Sequence, residues 1–202
     1  MNAEFNNILD KLGIKYCFNE QNYDFSKLKF IIVGDNPGDT EYQKKRFFIG
    51  ASGKKLRKHF LINGLIENFD DECFIRNKTF ISTTKTDQLK EIKTKIGIDY
   101  FDEILVYCAN EIAEISNEFD LPILIFGKSK IGPSLLFDKF WKVLNKAVIK
   151  KENILVFNHP SYNHFFNEWD KYKQEFEMDS SIKLLHCIGR INTINLNNKY
   201  KK

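Results

Sequence analysis

The chain has 202 residues, of which 43% are hydrophobic and 29% are charged, and its formal net charge is +4. These values are typical of a soluble globular domain with its own core. No apolar run approaches the roughly 20 residues that a membrane-spanning helix needs, which excludes such a helix. The first residues lack the basic and then apolar pattern of a signal peptide, so we expect a cytoplasmic protein.

Four short apolar runs predict buried strands, and the segments between them have the apolar spacing of helices. The predicted strands are 29–34, 78–82, 122–127 and 153–158, and the predicted helices are 52–65, 100–119, 130–148 and 169–178. This alternation predicts an α/β fold, a three-layer α/β/α sandwich around a central four-stranded, mostly parallel sheet. We expect one domain over residues 1–202, with its core at about 28–180 and a basic, polar tail at 190–202 that frays.

Polar or turn residues follow each predicted strand, in the sequences GDNPG, STTKT, GKSK and NHPS. Sites in parallel-sheet folds lie at the carboxyl ends of the strands. The sequence therefore predicts that these four segments line one shared cleft.

The four cysteines, Cys17, Cys73, Cys108 and Cys187, are widely separated, and no CxxC pair occurs. This spacing argues against a zinc ribbon or a local iron–sulfur site, although separated cysteines could still converge in space. We expect reduced, mostly buried thiols and neither a metal nor an organic cofactor.

The turn after the first strand places Asp35 and Asn36 between Gly34 and the pair Pro37–Gly38. A carboxylate held on such a turn can orient or deprotonate a water molecule, whereas an asparagine can only orient it. The alternative is an ordinary turn in which Asp35 caps the backbone. From the residues alone, both interpretations stay open.

Seven basic residues and no acidic residue lie between positions 44 and 58. They flank small residues and a predicted helix start near Ser52, where backbone N–H groups attract phosphate. Basic side chains there would add a sequence-independent attraction to nucleic acid, although a solvated lysine-rich helix face would look the same. The seven residues are Lys44, Lys45, Arg46, Lys54, Lys55, Arg57 and Lys58.

Two segments carry further candidate side chains. Phe47 and Phe48 lie within the basic segment, where one ring could stack on a base while the other packs in the core. His159 directly follows the last predicted strand and could donate a hydrogen bond to a developing anion. Ser161 could hold a phosphate, and the side chains from Tyr162 onward could wedge into a base stack. A His-Pro turn packed on the core is the alternative.

Taken together, these segments resemble the uracil-DNA glycosylase superfamily, and most closely its bacterial family with the first motif Gly-Glu-Ala-Pro-Gly. The segment GDNPGDTEYQKKRFFIGASG follows the spacing of that motif and its Pro-Phe-Val-Gly-x-x-Gly loop without a gap. ILIFGKSKIGPSLL and VFNHPSY are similar to two later segments of the family, so the resemblance covers roughly residues 28–165. The matching positions in the first segment are Gly34, Pro37, Gly38, Glu41, Phe48, Gly50 and Gly53.

The resemblance implies a monofunctional DNA glycosylase of base excision repair, which releases uracil or another deaminated base and leaves an abasic site. Asp35 stands where the family has its water-activating Glu, and Asn36 where relatives have a catalytic Asn. His159 would stabilise the departing base, and Gly34, Phe48 and Ser82 would contact it. The partner would be DNA carrying an extruded base, bound by a monomer. The implied DNA-binding residues are Lys45, Arg46, Ser52, Lys54, Lys55, Ser161, Tyr162 and Asn163.

The sequence departs from that family at three places. Asp35 is one methylene shorter than the family's Glu. Ser82, placed by our alignment at the end of the second strand, replaces an Asn that reads uracil, and a hydroxyl offers less than the paired donor and acceptor of an amide. No N-terminal Cys-x-x-Cys matches the family's iron–sulfur ligands.

Two other hypotheses follow. The first is a DNA-binding protein of glycosylase fold with little uracil activity, or one specific for a different modified base, which Ser82 and the mixed turn motivate. The second is a small-molecule or nucleotide-binding protein, because such folds host many functions. The absence of GxGxxG and GxxxxGK[ST] weakens the second hypothesis.

Overall fold

Four parallel strands form the central sheet of the computed structural model, which describes residues 3–201. In chain order, β1 to β4 are Phe30–Gly34, Cys73–Asn77, Ile123–Phe126 and Ile154–Phe157. The sheet order is β2-β1-β3-β4, and every neighbouring pair is parallel. All four carboxyl ends therefore lie at one edge of the sheet.

Helices cover both faces of the sheet, which confirms the predicted α/β/α sandwich. In chain order, α1 to α9 are Ala3–Lys11, Asp39–Lys44, Ala51–Ile62, Phe69–Glu72, Leu89–Ile96, Ile98–Phe119, Asp138–Ala147, His164–Glu175 and Ser181–Lys199. Along β1, Ile31 and Val33 enter one core with α6 and α7, whereas Phe30 and Ile32 enter the other core with α3, α8 and α9. Because successive strand residues point to opposite faces, a strand covered on both sides is apolar throughout.

The second strand lies earlier in the chain than the sequence predicts. The prediction of a strand over 78–82 is wrong, because β2 is Cys73–Asn77 and the chain leaves the parallel sheet after it. β2 was missed because Arg76 interrupts its apolar run. The guanidinium of Arg76 lies 4.0 Å from the Phe74 ring centroid and pairs with Glu111 at 2.9 Å, which accommodates a charge on this edge strand.

Two predicted helices have different starts. The prediction of a helix from residue 130 is wrong because α7 begins at Asp138, after a turn in which Gly132 and Ser134 have positive φ. The predicted helix 169–178 begins five residues earlier, at His164, as α8. Pattern alone placed these boundaries poorly because turn geometry, not apolar spacing, sets them.

The expectation of a frayed tail is also wrong, because most of 190–202 belongs to α9, although Lys202 lies outside the described residues. Gly189 lets α9 approach β4 closely, since a Cβ there would lie 2.7 Å from Cβ of Leu155. The Thr193 hydroxyl accepts from the Val156 N–H and donates to the Ile154 carbonyl, which satisfies part of the β4 edge. Because the tail is rich in polar residues, its sequence did not indicate that this face of α9 packs on β4.

The cysteines do not form a shared metal site. Cys17 and Cys73 lie in the core on one face of the sheet, whereas Cys108 lies in the core on the other face. Burial raises the pKa of the Cys17 thiol to about 12 and raises the pKa values of Cys73 and Cys108 as well, so these groups stay protonated. A metal site that needs all four cysteines therefore does not fit their positions.

Within residues 3–201, no helix has both the length and the apolar character needed to cross a bilayer.

Candidate active site

A cavity of about 400 Å³ opens at the carboxyl edge of the sheet, within the size range of small-molecule sites. β1 supplies Gly34 and the turn after it, β2 supplies Asn77, and the loop after β4 supplies His159. Phe48 and the first turn of α3 form the facing wall. The structure thus brings together residues from three of the four segments predicted to line one cleft, whereas the segment GKSK at 127–130 contributes no lining residue.

Asp35 is the first residue after β1 and is held from behind by a buried lysine. Its Oδ1 accepts a hydrogen bond from Nζ of Lys78 at 2.5 Å, and Lys78 is fully buried. Gly127, with φ of 95°, packs against the carboxylate so closely that a Cβ there would overlap it. Within the described residues Oδ2 of Asp35 has no hydrogen-bond partner, so this oxygen is the one that can meet a water in the cavity.

Asn36 lies beside Asp35, but its amide is already engaged. Its Nδ2 donates to the Thr83 carbonyl at 3.0 Å and the Thr83 hydroxyl at 2.9 Å, while its Oδ1 accepts from the Thr86 hydroxyl at 3.0 Å. These bonds fasten the threonine-rich loop to the turn after β1. The arrangement favours Asp35 over Asn36 as the group that positions a water.

Phe48 is held in a strained backbone conformation beside the cavity. Its φ is 55°, and non-glycine residues seldom occupy this left-handed region. Gly53 leaves room for the Phe48 carbonyl, to which Nε of Arg57 donates at 2.9 Å. The neighbouring Phe47 is buried in the core, as expected for one ring of the pair. Phe48 therefore presents a preformed aromatic wall.

Asn77 lies directly opposite Gly34 in the β1–β2 register. A Cβ on Gly34 would overlap Oδ1 of Asn77 and come within 2.8 Å of the Phe48 ring, so glycine keeps a slot open between them. Asn77 is 4% exposed, and its Nδ2 has no hydrogen-bond partner within residues 3–201. An unpaired buried donor costs about 1–3 kcal/mol, which a ligand acceptor would recover.

Ser82 does not occupy the end of the second strand, so that part of our prediction is wrong. The true strand end is Asn77, which lines the cavity. Ser82 is buried five residues further on, donates its backbone N–H to the Lys15 carbonyl, and is not among the residues lining the cavity. Because the second strand was predicted at 78–82 instead of at Cys73–Asn77, Ser82 was assigned to its end and Asn77 was missed.

His159 is held in one tautomer by Ser161. The backbone N–H of Ser161 donates to Nδ1 of His159 at 3.1 Å, so this nitrogen is an acceptor, and the Ser161 hydroxyl lies 2.7 Å from it. In the neutral ring the proton therefore sits on Nε2. Burial lowers the pKa of His159, and Lys78 acts in the same direction while Asp35 opposes it. A neutral Nε2–H donor results.

The predicted phosphate-binding residues divide into paired and unpaired groups. Arg46 forms an ion pair with Asp70 at 3.0 Å, and Lys45 lies over the Tyr42 ring. Ser52 lies in the first turn of α3 and lines the cavity. Lys54 is exposed and forms no ion pair within the described residues.

An exposed tyrosine stands at the rim of the site. Tyr162 is 89% exposed with φ of 53°, and Asn163 has φ of 62°. Nζ of Lys55 donates to Oδ1 of Asn163 at 3.1 Å and links this turn to α3. Two successive left-handed residues carry a backbone cost that the surrounding structure must offset. The turn projects Tyr162 into solvent.

A model of the uracil DNA glycosylase superfamily matches residues 21–179. The chain belongs to this superfamily. No curated protein matches the chain. Members of the uracil DNA glycosylase superfamily are glycosylases that act on DNA, so membership suggests that this chain is a DNA glycosylase.

The matched range contains the cavity, because every residue described above from Asp35 to Asn163 lies inside it. The superfamily match ends at residue 179, so α9, although packed on β4, lies beyond it. Sequence reasoning missed Asn77 and Lys78. Asn77 ends β2 and Lys78 directly follows it, and these positions could be recognised only once β2 was placed at Cys73–Asn77.

Proposed function

We propose that this chain is a monofunctional DNA glycosylase of base excision repair. It hydrolyses the N-glycosidic bond of uracil or another deaminated base in DNA and leaves an abasic site. The observation that carries the proposal is that a carboxylate and a neutral imidazole donor, Asp35 and His159, line one cavity together with an aromatic ring and an unpaired amide. These four groups supply what base release requires.

The base would leave the stack and enter the slot beside Gly34. Phe48 would stack on its face, and the amide of Asn77 would pair with its edge. An amide offers a donor and an acceptor together, which suits the carbonyl and ring N–H of a deaminated pyrimidine. This pairing would also satisfy the unpartnered Nδ2 of Asn77.

The bond between C1′ and the base nitrogen would then break, and its electron pair would leave with the base. Nε2–H of His159 would donate to the base carbonyl and stabilise the anion. Asp35 would stabilise the cationic sugar and align a water whose oxygen bonds to C1′. The proton that this water loses passes to the Asp35 carboxylate and then to the base anion, which leaves as the neutral base.

DNA would be held outside the cavity by groups of the rim. Lys45, Lys54 and Lys55 add positive charge beside the first turn of α3, whose N–H groups favour a phosphate. Tyr162 and Asn163 would fill the gap that the extruded base leaves in a duplex. The contribution of Arg46 is expected to be smaller, because Asp70 already pairs with it.

The test is base release from a panel of labelled oligonucleotides, followed by alkaline cleavage. The panel holds uracil in a single strand, opposite guanine and opposite adenine, together with hypoxanthine, xanthine and thymine opposite guanine. Mass spectrometry identifies the free base, and cleavage without alkali would reveal a lyase. Asp35→Ala, prepared identically, controls for contaminating glycosylase.

Cleavage by the wild type that needs alkali and is lost in Asp35→Ala would support the proposal and identify the base. DNA binding without release of any base would contradict it and favour a DNA-binding protein of this fold. Equal cleavage by both proteins would also contradict the proposal, because the activity would then come from a contaminating glycosylase or from groups other than Asp35.

A further inference from the structure

We infer that Lys78 is a positioning residue, whose buried ammonium fixes the Asp35 carboxylate so that its second oxygen faces the water. The inference rests on the proposed function, since it assigns a role within that reaction. Lys78 was no part of the sequence prediction, and it does not line the cavity. It acts through Asp35.

The geometry around Lys78 requires a charged amine. Nζ lies 2.5 Å from Oδ1 of Asp35, 2.5 Å from the Phe126 carbonyl and 3.3 Å from the Gly34 carbonyl. Three acceptors match the three protons of an ammonium, whereas a neutral amine has only two. The Phe137 ring lies 5.1 Å from Nζ and adds a favourable cation–π contact.

Lys78 joins the ends of three adjacent strands. It directly follows β2, its backbone N–H donates to the Gly34 carbonyl at the end of β1, and its Nζ reaches the Phe126 carbonyl at the end of β3. Asp35 therefore cannot turn its Oδ1 without leaving a fully buried ammonium short of an acceptor. The ion pair and the close contact with Gly127 together leave one orientation for the carboxylate.

Burial lowers the pKa of Lys78, and Asp35 opposes that shift. Several other charged groups act on the same carboxylate or share its cavity. His159 faces Asp35 from the loop after β4, with His164 beside it, and Asp39 and Glu41 line the cavity from α2. Lys78 is the group that contacts Asp35 directly. Its removal should therefore change the orientation of the Asp35 carboxylate more than the removal of any of these other charged groups.

The experiment is a double-mutant cycle of Lys78→Met and Asp35→Asn, read as single-turnover base release. Lys78→Met keeps an unbranched side chain, shorter by one heavy atom, and removes its charge. We expect it to slow release at neutral pH by about tenfold or more, because the Asp35 carboxylate loses the ion pair that fixes its Oδ1 and is no longer held in one position. In the Asp35→Asn background the same change should alter the rate by less than about twofold.

The difference between rate and binding separates positioning from a purely structural role. With Lys78→Met, the single-turnover rate at saturating protein should fall while the affinity for DNA stays near that of the wild type, because Lys78 does not line the cavity. A variant that loses the same factor in both backgrounds, or that weakens DNA binding as much as it slows release, would overturn the inference.

Lys78→Met leaves a buried carboxylate without its cation and is the variant most prone to misfold. Lys78→Gln keeps a hydrogen-bond donor and provides a second neutral variant, for which the same loss of rate is expected. Carboxyl 13C NMR, with the Asp35 signal assigned by its loss in Asp35→Asn, gives a readout that needs no substrate. A changed chemical shift of the Asp35 carboxyl in Lys78→Gln supports the inference, and an unchanged chemical shift overturns it. If no base is released from any substrate, the proposed function fails while this NMR measurement still tests Lys78.

Discussion

The inner wall of the cavity and its outer rim both consist of charged and polar residues, but they differ in burial and pairing. The inner wall, made of Asp35, Asn77 and His159 with Lys78 behind it, is buried or half-buried, and Asp35, Lys78 and His159 interact electrostatically with one another. The rim, made of Lys54, Lys55, Tyr162 and Asn163, is exposed. Low dielectric strengthens interactions in the wall, whereas water and salt weaken those at the rim. We therefore expect large, pH-dependent effects from the wall and small, salt-dependent effects from the rim.

The largest effect should come from His159→Ala, which removes a preorganised donor to the leaving base. Losing one such donor costs about 2.7–4 kcal/mol, or roughly 100-fold or more in rate. Single-turnover release measures it. Ser161→Ala is the matched control, because the backbone N–H still holds Nδ1 and most of the rate should remain. A loss below about threefold in His159→Ala would remove this residue from the mechanism.

The next effect compares Asn77 with Ser82. Asn77→Ala should reduce base release by roughly 5- to 150-fold, since paired amide contacts of about 1–3 kcal/mol disappear. Ser82→Ala should change the rate little, because Ser82 does not line the cavity. Single-turnover rates of both variants on one substrate show which of the two residues contributes to base release. The reverse order would restore Ser82 as the base-reading residue.

A smaller effect is expected at the rim from Tyr162→Ala. Loss of one stacking ring costs about 1–3 kcal/mol, but only where a duplex stack must be opened. Release from duplex DNA should therefore slow, while release from a single strand stays nearly unchanged. Equal slowing on both substrates would show that Tyr162 acts on the cavity instead of on the duplex.

Lys54→Ala should have an effect of only a few fold, which shows mainly in the salt dependence of DNA binding. Each phosphate contact contributes about 0.9 to the slope of log affinity against log salt for duplex DNA. Arg46→Ala is the paired comparison, since Arg46 pairs with Asp70, a carboxylate that also pairs with Arg57. Binding titrations at several salt concentrations should give a larger change in slope for Lys54→Ala. Identical slopes for the wild type and Lys54→Ala would place Lys54 outside the DNA contact.

The smallest effect concerns stability. Burial lowers the pKa values of His59, His159 and His186 below the usual 6.5. The unfolded chain therefore binds protons first as pH falls below about 6.5, and the free energy of unfolding should decrease there while staying unaffected by these groups above it. Urea unfolding across this range provides the measurement. His59→Gln should flatten the slope, and an unchanged slope would show that His59 contributes nothing.

Much of the fold could be predicted because strands β1, β3 and β4 are uninterrupted apolar runs. β2 could not, because Arg76 breaks its pattern and is accommodated by contacts with Phe74 in the same strand and with Glu111 in α6. α9 was hidden for a similar reason, since its burial depends on Gly189 fitting against β4. Tertiary contacts that no local pattern encodes decided both elements.

The site could be predicted where chemistry lies in a local motif. Asp35, Phe48 and His159 all line the cavity, in agreement with the predicted cleft. Asn77 and Lys78 could not be found, because their roles depend on the register that sets β2 beside β1. The bonds that engage Asn36 join it to Thr83 and Thr86, far along the chain, and sequence could not show which of the two turn residues remained available.

The most direct test compares Asp35→Ala with Asn36→Ala in single-turnover release of the base identified by the panel. Asp35 leaves one carboxylate oxygen for water, whereas the amide of Asn36 is occupied by the threonine-rich loop. We predict that Asp35→Ala abolishes release above background, while Asn36→Ala retains measurable release. Release by Asp35→Ala at the wild-type rate would contradict the assignment of this cavity as the catalytic centre.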